Sequence, residues 1–308
     1  MQNIVIGGLS IYEIVWFFML YSFLGWVIEV VYHAVSKGVI VNRGFLNGPV
    51  CPIYGFGMVG VFLLLNSLFP EGAYGMHGGL LFVFGLALAT VIELFGGWAL
   101  DKLFHARWWD YSKEPFNLNG YICPKFSLYW GFIIVFAVRI FHPFLARNTV
   151  EIWPKSIGWP VAIILAVVYM ADVVVTVMIV NGLNKELEQL DQIQASMRVV
   201  SNDLTDKLGN GSLKTVQRMQ EGRVKAELAQ SDLRDRAEEA REMIESKKEE
   251  INDRLKALKE KRDALYRRIS QNSVFGPRRL IKAFPDLKMP DHEEALQRVK
   301  EMLEKAGI

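Results

Sequence analysis

Five apolar runs, each near the roughly 20 residues needed to cross a hydrocarbon layer roughly 30 Å thick, constrain this chain more than any other feature. They occupy residues 11–32, 51–69, 72–100, 126–146 and 156–180. None keeps the polar face that a water-soluble helix carries throughout. The character then changes abruptly. Residues 1–180 hold 9 Lys and Arg and 9 Asp and Glu, whereas residues 181–308 hold 26 and 24. Such segregation predicts an all-α polytopic membrane protein over residues 1–182, followed by a charged helical tail that cannot cross a bilayer. Residues 1–10 lack a basic flank and the first run exceeds the apolar core of a secretory signal, so a retained span is expected.

Basic residues in short loops set the orientation. The loop after the first run carries Lys37 and Arg43, and the loop after the third carries Lys102, Arg107 and Lys113, with Lys125 at its end. The opposite side has only Arg147 and Lys155, between the fourth and fifth runs. The amino terminus is therefore expected outside an inner membrane, with both basic loops and the tail in the cytoplasm and lipid around the spans. A net charge of +2 with interspersed acids gives no footing for nucleic acid. Cys51 and Cys123 fall on the reducing side, where a structural disulfide is not expected.

The runs also look duplicated. Leu46-Asn47-Gly48-Pro49-Val50-Cys51-Pro52 matches Leu118-Asn119-Gly120-Tyr121-Ile122-Cys123-Pro124, and upstream of each stands Val-Ile-Glu, ending at Glu29 and at Glu93. Two helix pairs, over about 21–70 and 85–146, are thus expected to be parallel repeats about an axis normal to the membrane. Convergence on residues that suit loop ends is the simpler alternative.

In the tail, Leu183, Leu187, Leu190, Ile193, Met197, Val200 and Leu204 form one helical stripe, and Ala237, Ile244, Ile251, Leu258 and Leu265 recur every seven residues. Residues 183–270 therefore read as long helices or a weak coiled coil, with self-association through the tail one outcome and an antiparallel hairpin folded at Gly209–Gly211 the other. Residues 271–308 read as a basic amphipathic segment, suited to an anionic membrane surface or to packing on the helices, and then a terminal helix with Asp291 as N-cap.

A carboxylate within a span costs roughly 2.5–3.5 kcal/mol on insertion scales, so Glu29 and Glu93 are the first functional candidates. Either they face one shared cavity or each anchors its own loop. Arg43, Asn47, Asp110 and Asn119 lie in Gly-, Pro- and Asn-rich loops and complete the set of binding candidates. Trp108 and Trp109 are placed as interface anchors. Arg139 and Asp172 lie inside the fourth and fifth spans, and a mutual ion pair would spare each a lone buried charge, with Glu13 a second partner for Arg139. The chain has no phosphate-binding loop, nucleophile elbow, zinc motif or local Cys-x-x-Cys pair, and its five histidines lack ligand spacing. No cofactor or metal is implied, no catalytic residue is assigned, and any ATP hydrolysis falls to a partner.

Phe23-Leu24-Gly25-Trp26 followed by Glu29, then Asn42-Arg43-Gly44-Phe45-Leu46 with Gly48-Pro49 and Cys51-Pro52-Ile53-Tyr54-Gly55, and Trp109-Asp110-Tyr111-Ser112 with Pro115-Phe116-Asn117 and Gly120, resemble the putative ABC-transporter type IV family of bacterial membrane proteins. The resemblance covers about Tyr21 to Gly131. It implies a permease-like or transport-associated component, with a separate ATPase subunit as partner. Two other readings fit the residues: an intramembrane enzyme using the glutamates as acid and base on a lipid-like substrate, and a scaffold or sensor working through its tail.

The topology is tested with K37C and E71C, introduced singly after replacing Cys51 and Cys123. A membrane-impermeant maleimide should label E71C on intact cells and K37C only in inverted vesicles. The reverse pattern would overturn the orientation.

Overall fold

The computed structural model describes residues 4–150, 152–222, 230–271 and 275–305. They form two compact units, Met1–Leu183 with Asn272–Glu293, and Asn184–Gln271 with Glu294–Ile308.

In the first unit a two-stranded hairpin, β1 (Val5–Ile6) and β2 (Leu9–Ser10), turns at Gly7 and Gly8, both with positive φ. Ser10 then caps helix α1 (Ile11–Lys37): its hydroxyl accepts from the Glu13 N–H at 3.3 Å, and the Glu13 carboxylate accepts from the Ser10 N–H at 2.7 Å. This reciprocal capping box satisfies donors that would otherwise be orphaned, and it occupies Glu13. Helix α2 (Pro52–Leu68) and helix α4 (Pro124–Phe136) both start on a proline preceded by an extended cysteine. Proline suits the first helical position because its missing N–H has no partner there anyway. Between them lies α3 (Gly78–Phe104). Helix α1 packs chiefly on α2, and α3 on α4.

Among the described residues, four apolar helices are long enough to cross a membrane: Ile11–Lys37, Gly78–Phe104, Pro124–Asn148 and the first part of α5 (Lys155–Gly222). No more than 28% of any of their apolar windows is buried inside the protein, which leaves apolar surface for lipid to cover. The chain is a multi-pass, all-α membrane protein. The fifth expected span, α2, is apolar but has 17 residues, or about 25 Å at 1.5 Å per residue.

Helix α4 continues through a π turn at Ala137–Phe141, an α turn at His142–Leu145 and a second π turn at Ala146–Val150. Pro143 removes a backbone donor there, and widened turns are a common accommodation. The first π turn carries Arg139, whose guanidinium donates to the carbonyls of Tyr74 and Met76 in the connection before α3. At the other end of α2, Asp172 on α5 accepts from the Asn47 N–H at 3.1 Å, the Asn47 side-chain amide at 2.9 Å and the Gly48 N–H at 2.6 Å. The expected Arg139–Asp172 ion pair therefore does not form. The two charges sit at opposite ends of the helices, and each is relieved by peptide groups close at hand.

Helix α5 runs unbroken through Gly209–Gly211, so no hairpin turn occurs there. A helical glycine costs only about 1 kcal/mol relative to alanine, which the neighbouring helix formers outweigh. Residues 223–229 lie outside the described residues. Among the described side chains, helix α6 (Gln230–Ser270) is buried along the heptad seam at Leu265 and Ile269, while Ile244 is exposed. Within this second unit Arg268 pairs with Glu186 at 3.7 Å and Arg198 with Glu294 at 3.3 Å.

Helix α7 (Pro277–Ala283) belongs to the membrane unit and buries Leu280, Ile281 and Ala283. It packs on protein, so the membrane-surface alternative for it is set aside. The last helix, α8 (Glu293–Lys305), starts after a 3-10 turn at Pro290–His292. Asp291 lies within that turn and is not the N-cap, and its carboxylate instead meets His105 at 3.1 Å.

Because Asp172 and Arg139 have separate partners, D172N and R139Q should destabilise the purified protein independently. A double-mutant cycle on thermal unfolding should give coupling within about 0.5 kcal/mol, with D172N alone costing about 1.5–3 kcal/mol for a weakened charged hydrogen bond. Coupling well above that range would reinstate the ion pair.

Candidate functional site

Glu29 and Glu93 occupy α1 and α3, and each accepts from a tyrosine. The Tyr54 hydroxyl donates to Glu29 Oε1 at 2.8 Å, and the Tyr111 hydroxyl donates to Glu93 Oε1 at 3.0 Å. Tyr54 reaches Glu29 because α1 has a glycine where the ring crosses: a Cβ at Gly25 would lie 2.2 Å from it. The second tyrosine arrives differently. Phe126 stands where the repeated Cys-Pro motif would align a partner for Tyr54, and it has no hydroxyl. Tyr111, from the loop between α3 and α4, stacks on that ring with centroids 4.5 Å apart and an interplanar angle of 16°. The hydroxyl missing from the helix is supplied by the loop.

The two pairs adjoin. Tyr111 lies within electrostatic reach of both carboxylates, and Tyr54 of Glu29 and Tyr111. Burial first, and then the Glu93 charge, holds the Tyr111 hydroxyl well above its ordinary range, so it stays a donor at any physiological pH. Trp130 closes one side, its ring edge-on to Tyr54 at 5.5 Å. Glu93 is 6% exposed; Tyr111 donates to one oxygen, the Trp130 indole faces the same carboxylate, and the second oxygen is buried short of a well-aligned donor. A buried carboxylate oxygen left this way invites a donor. The second oxygen of Glu29 lies 3.7 Å from Arg43 Nε.

Of the other candidates, Arg43 joins the cluster and three do not. Asn47 is committed to Asp172 and also donates to the Thr176 hydroxyl at 3.0 Å. Its loop is held by Asn42, which accepts from the Trp26 indole at 2.7 Å and the Gly44 N–H at 3.0 Å. Asn119 adopts a positive φ of 49° in a tight turn, and its carbonyl accepts from Arg107 at 3.2 Å. Asp110 accepts from the Ser112 N–H and hydroxyl, both at 2.9 Å, and meets Lys288 Nζ at 2.5 Å. Burial pushes its carboxyl up, but Lys288 and Ser112 together win and hold it below the usual carboxylate range.

Trp108 is 5% exposed, wedged edge-on between Phe45 and Phe284 at 5.0 Å each, so it is loop core and not an interface anchor. Trp109 donates its indole N–H to the Tyr121 carbonyl at 2.9 Å. Two grooves of about 340 and 400 Å³ flank Leu118, and neither is lined by Glu29 or Glu93. Around Glu29 and Glu93 themselves stand the rings of Tyr54, Tyr111, Phe126 and Trp130. Cys51 and Cys123 are free thiols, both buried.

Tyr54, Tyr111 and Trp130 escaped the reading of the sequence. Tyr54 and Tyr111 stand inside the motif stretches, Cys-Pro-Ile-Tyr and Trp-Asp-Tyr-Ser, but no spacing rule connects either to a glutamate in a different segment.

No curated protein and no solved structure gives a match. The model of the family described as Putative ABC-transporter type IV matches residues 16–177, a stretch that holds Glu29, Tyr54, Glu93, Tyr111 and Asp172. With more than half of its length matched, the chain belongs to that family of ABC-transporter-related membrane components.

Proposed function

We propose that this chain is the permease-like part of a transport system in a bacterial inner membrane, with Glu29, Tyr54, Tyr111 and Glu93 as its solute site. The observation that carries the reading is a buried Glu93 carboxylate, one oxygen short of a well-aligned donor, linked through Tyr111 to a second carboxylate, Glu29. Two carboxylates in apolar helices are costly, and an amine or guanidine with several N–H donors would relieve both. The aromatic rings of Tyr54 and Trp130 suit the same cation. Because the chain has no nucleotide-binding motif, a separate ATPase subunit supplies any hydrolysis, as the family's name implies. The amino terminus lies outside, and the loops bearing Arg43 and Asp110 lie in the cytoplasm with the tail. The exposed Met243 and Ile244 on α6 support self-association through the tail.

The test uses the full chain in lipid nanodiscs and a panel of primary amines and guanidines. Wild type should show a ligand-induced rise in Tm with at least one of them. Glu29→Gln and Glu93→Gln should reach the membrane at normal levels yet lose that rise, and the double variant should lose no more than either single one. An equal rise in wild type and double variant would contradict the reading. So would strictly additive stability losses with binding unchanged, the behaviour of two independent loop anchors.

A further inference from the structure

Residues 277–291 come back to the membrane unit although the residues on both sides of them, up to Gln271 and from Glu294, belong to the other unit. Their contacts are reciprocal. Arg279 spreads its guanidinium over two successive carbonyls of the first loop, donating to Gly44 at 3.0 Å and to Phe45 at 3.1 Å. In return Arg43, from that same loop, donates to the Ala283 carbonyl and stacks over the Phe284 ring at 5.1 Å. Burial lowers the pKa of Arg279 to about 10, with the Asp172 charge opposing, so it remains a cation at physiological pH.

The second loop is held as well. Arg107 and Lys288 exchange backbone hydrogen bonds of 2.8 and 3.0 Å, and the Lys288 ammonium meets Asp110 at 2.5 Å. Phe284 and Trp108 pack edge-on, and Leu280, Leu287 and Met289 are almost wholly buried. The loops joined in this way follow α1 and α3, the helices that carry Glu29 and Glu93. Arg43 is common to both systems, with one nitrogen 3.7 Å from Glu29 and another on the Ala283 carbonyl.

We propose that residues 277–291 form a latch that shuts the approach to Glu29 from the loop side. Docked, the latch ties the two loops together and holds Arg43 between Glu29 and Phe284. Lifted, it frees Arg43 and lets the two helix pairs move apart. The exposed His105–Asp291 pair is worth little in water, and in the Lys288–Asp110 pair the carboxylate is buried while the ammonium stays half exposed. The Arg279 fork and the buried apolar residues carry the docking, which makes it firm yet reversible. The inference rests on the proposed solute site for its purpose, but the latch can be tested whether or not the glutamates bind anything.

Cys51 reports on access, because it is 6% exposed and lies within reach of Glu29, Arg43 and the Phe45 backbone. In full chain carrying Cys123→Ser, in nanodiscs, maleimide labelling of Cys51 is compared with hydrogen exchange over 277–291 for wild type, Arg279→Gln and Lys288→Asp. Arg279→Gln should raise both, with labelling faster on the order of tenfold, the effect of losing one charge-assisted hydrogen bond. Lys288→Asp should raise both less, and adding Asp110→Lys should return it towards wild type, which separates undocking from misfolding. Faster exchange without faster labelling would show that the segment covers nothing. No change in exchange for Arg279→Gln, or no recovery in the charge swap, would show that these contacts do not hold it. Any of these results overturns the latch. A working latch together with unaltered ligand response in the glutamate variants would leave it standing and remove only the solute site.

Discussion

A carboxylate in an apolar helix must find hydrogen-bond donors within the protein, because lipid offers none, and much of the first unit follows from that requirement. Gly25 lets α2 approach α1 closely enough for Tyr54 to reach Glu29. The loop between α3 and α4 folds back so that Tyr111 can reach Glu93. Asp172 obeys the same rule, drawing in the Asn47 and Gly48 amides and so fixing the first loop. That loop then presents Arg43 to Glu29 and the carbonyls of Gly44 and Phe45 to Arg279. One constraint, repeated at three carboxylates, shapes both the site and the surface that the latch covers.

The parts of this arrangement legible in the sequence are those set by local chemistry. Apolar run length marked the long spanning helices, and the insertion cost of Glu29 and Glu93 singled them out. Partners distant in sequence were not legible. Arg139 and Asp172 looked complementary because both lie within spans, yet Arg139 is 15 residues beyond the start of α4 at Pro124 and Asp172 is 17 beyond the start of α5 at Lys155. Successive spans run in opposite directions, so a rise of about 1.5 Å per residue carries the two charges to opposite ends. Counting along the helices would have separated them. The trio at Gly209–Gly211 looked like a break because glycine is a poor helix former, but its cost is small beside the cooperativity of a helix of this length.

The repeated motifs show how far local sequence determines local role. Asn47 and Asn119 precede glycines in matching heptapeptides, yet Asn119 and Gly120 take positive φ in a tight turn while Asn47, without a positive φ, bonds to Asp172 and Thr176. What differs is the surroundings, since α5 brings its carboxylate to the first loop. Tyr54 and Phe126 diverge likewise, and the missing hydroxyl comes from Tyr111 instead. In each helix pair a carboxylate on the first helix accepts from a tyrosine hydroxyl, supplied by the second helix in one pair and by the connecting loop in the other.

The account stands on Glu29 and Glu93 forming a single site that meets a polar, cationic solute. A structure of the full chain in lipid, determined after incubation with the amine that best raises its Tm, tests this most directly. The account predicts density for that solute within hydrogen-bond distance of the open oxygen of Glu93, with Tyr54 and Tyr111 on their carboxylates. An acyl chain lying there, or glutamates held apart with no solute between them, would contradict it.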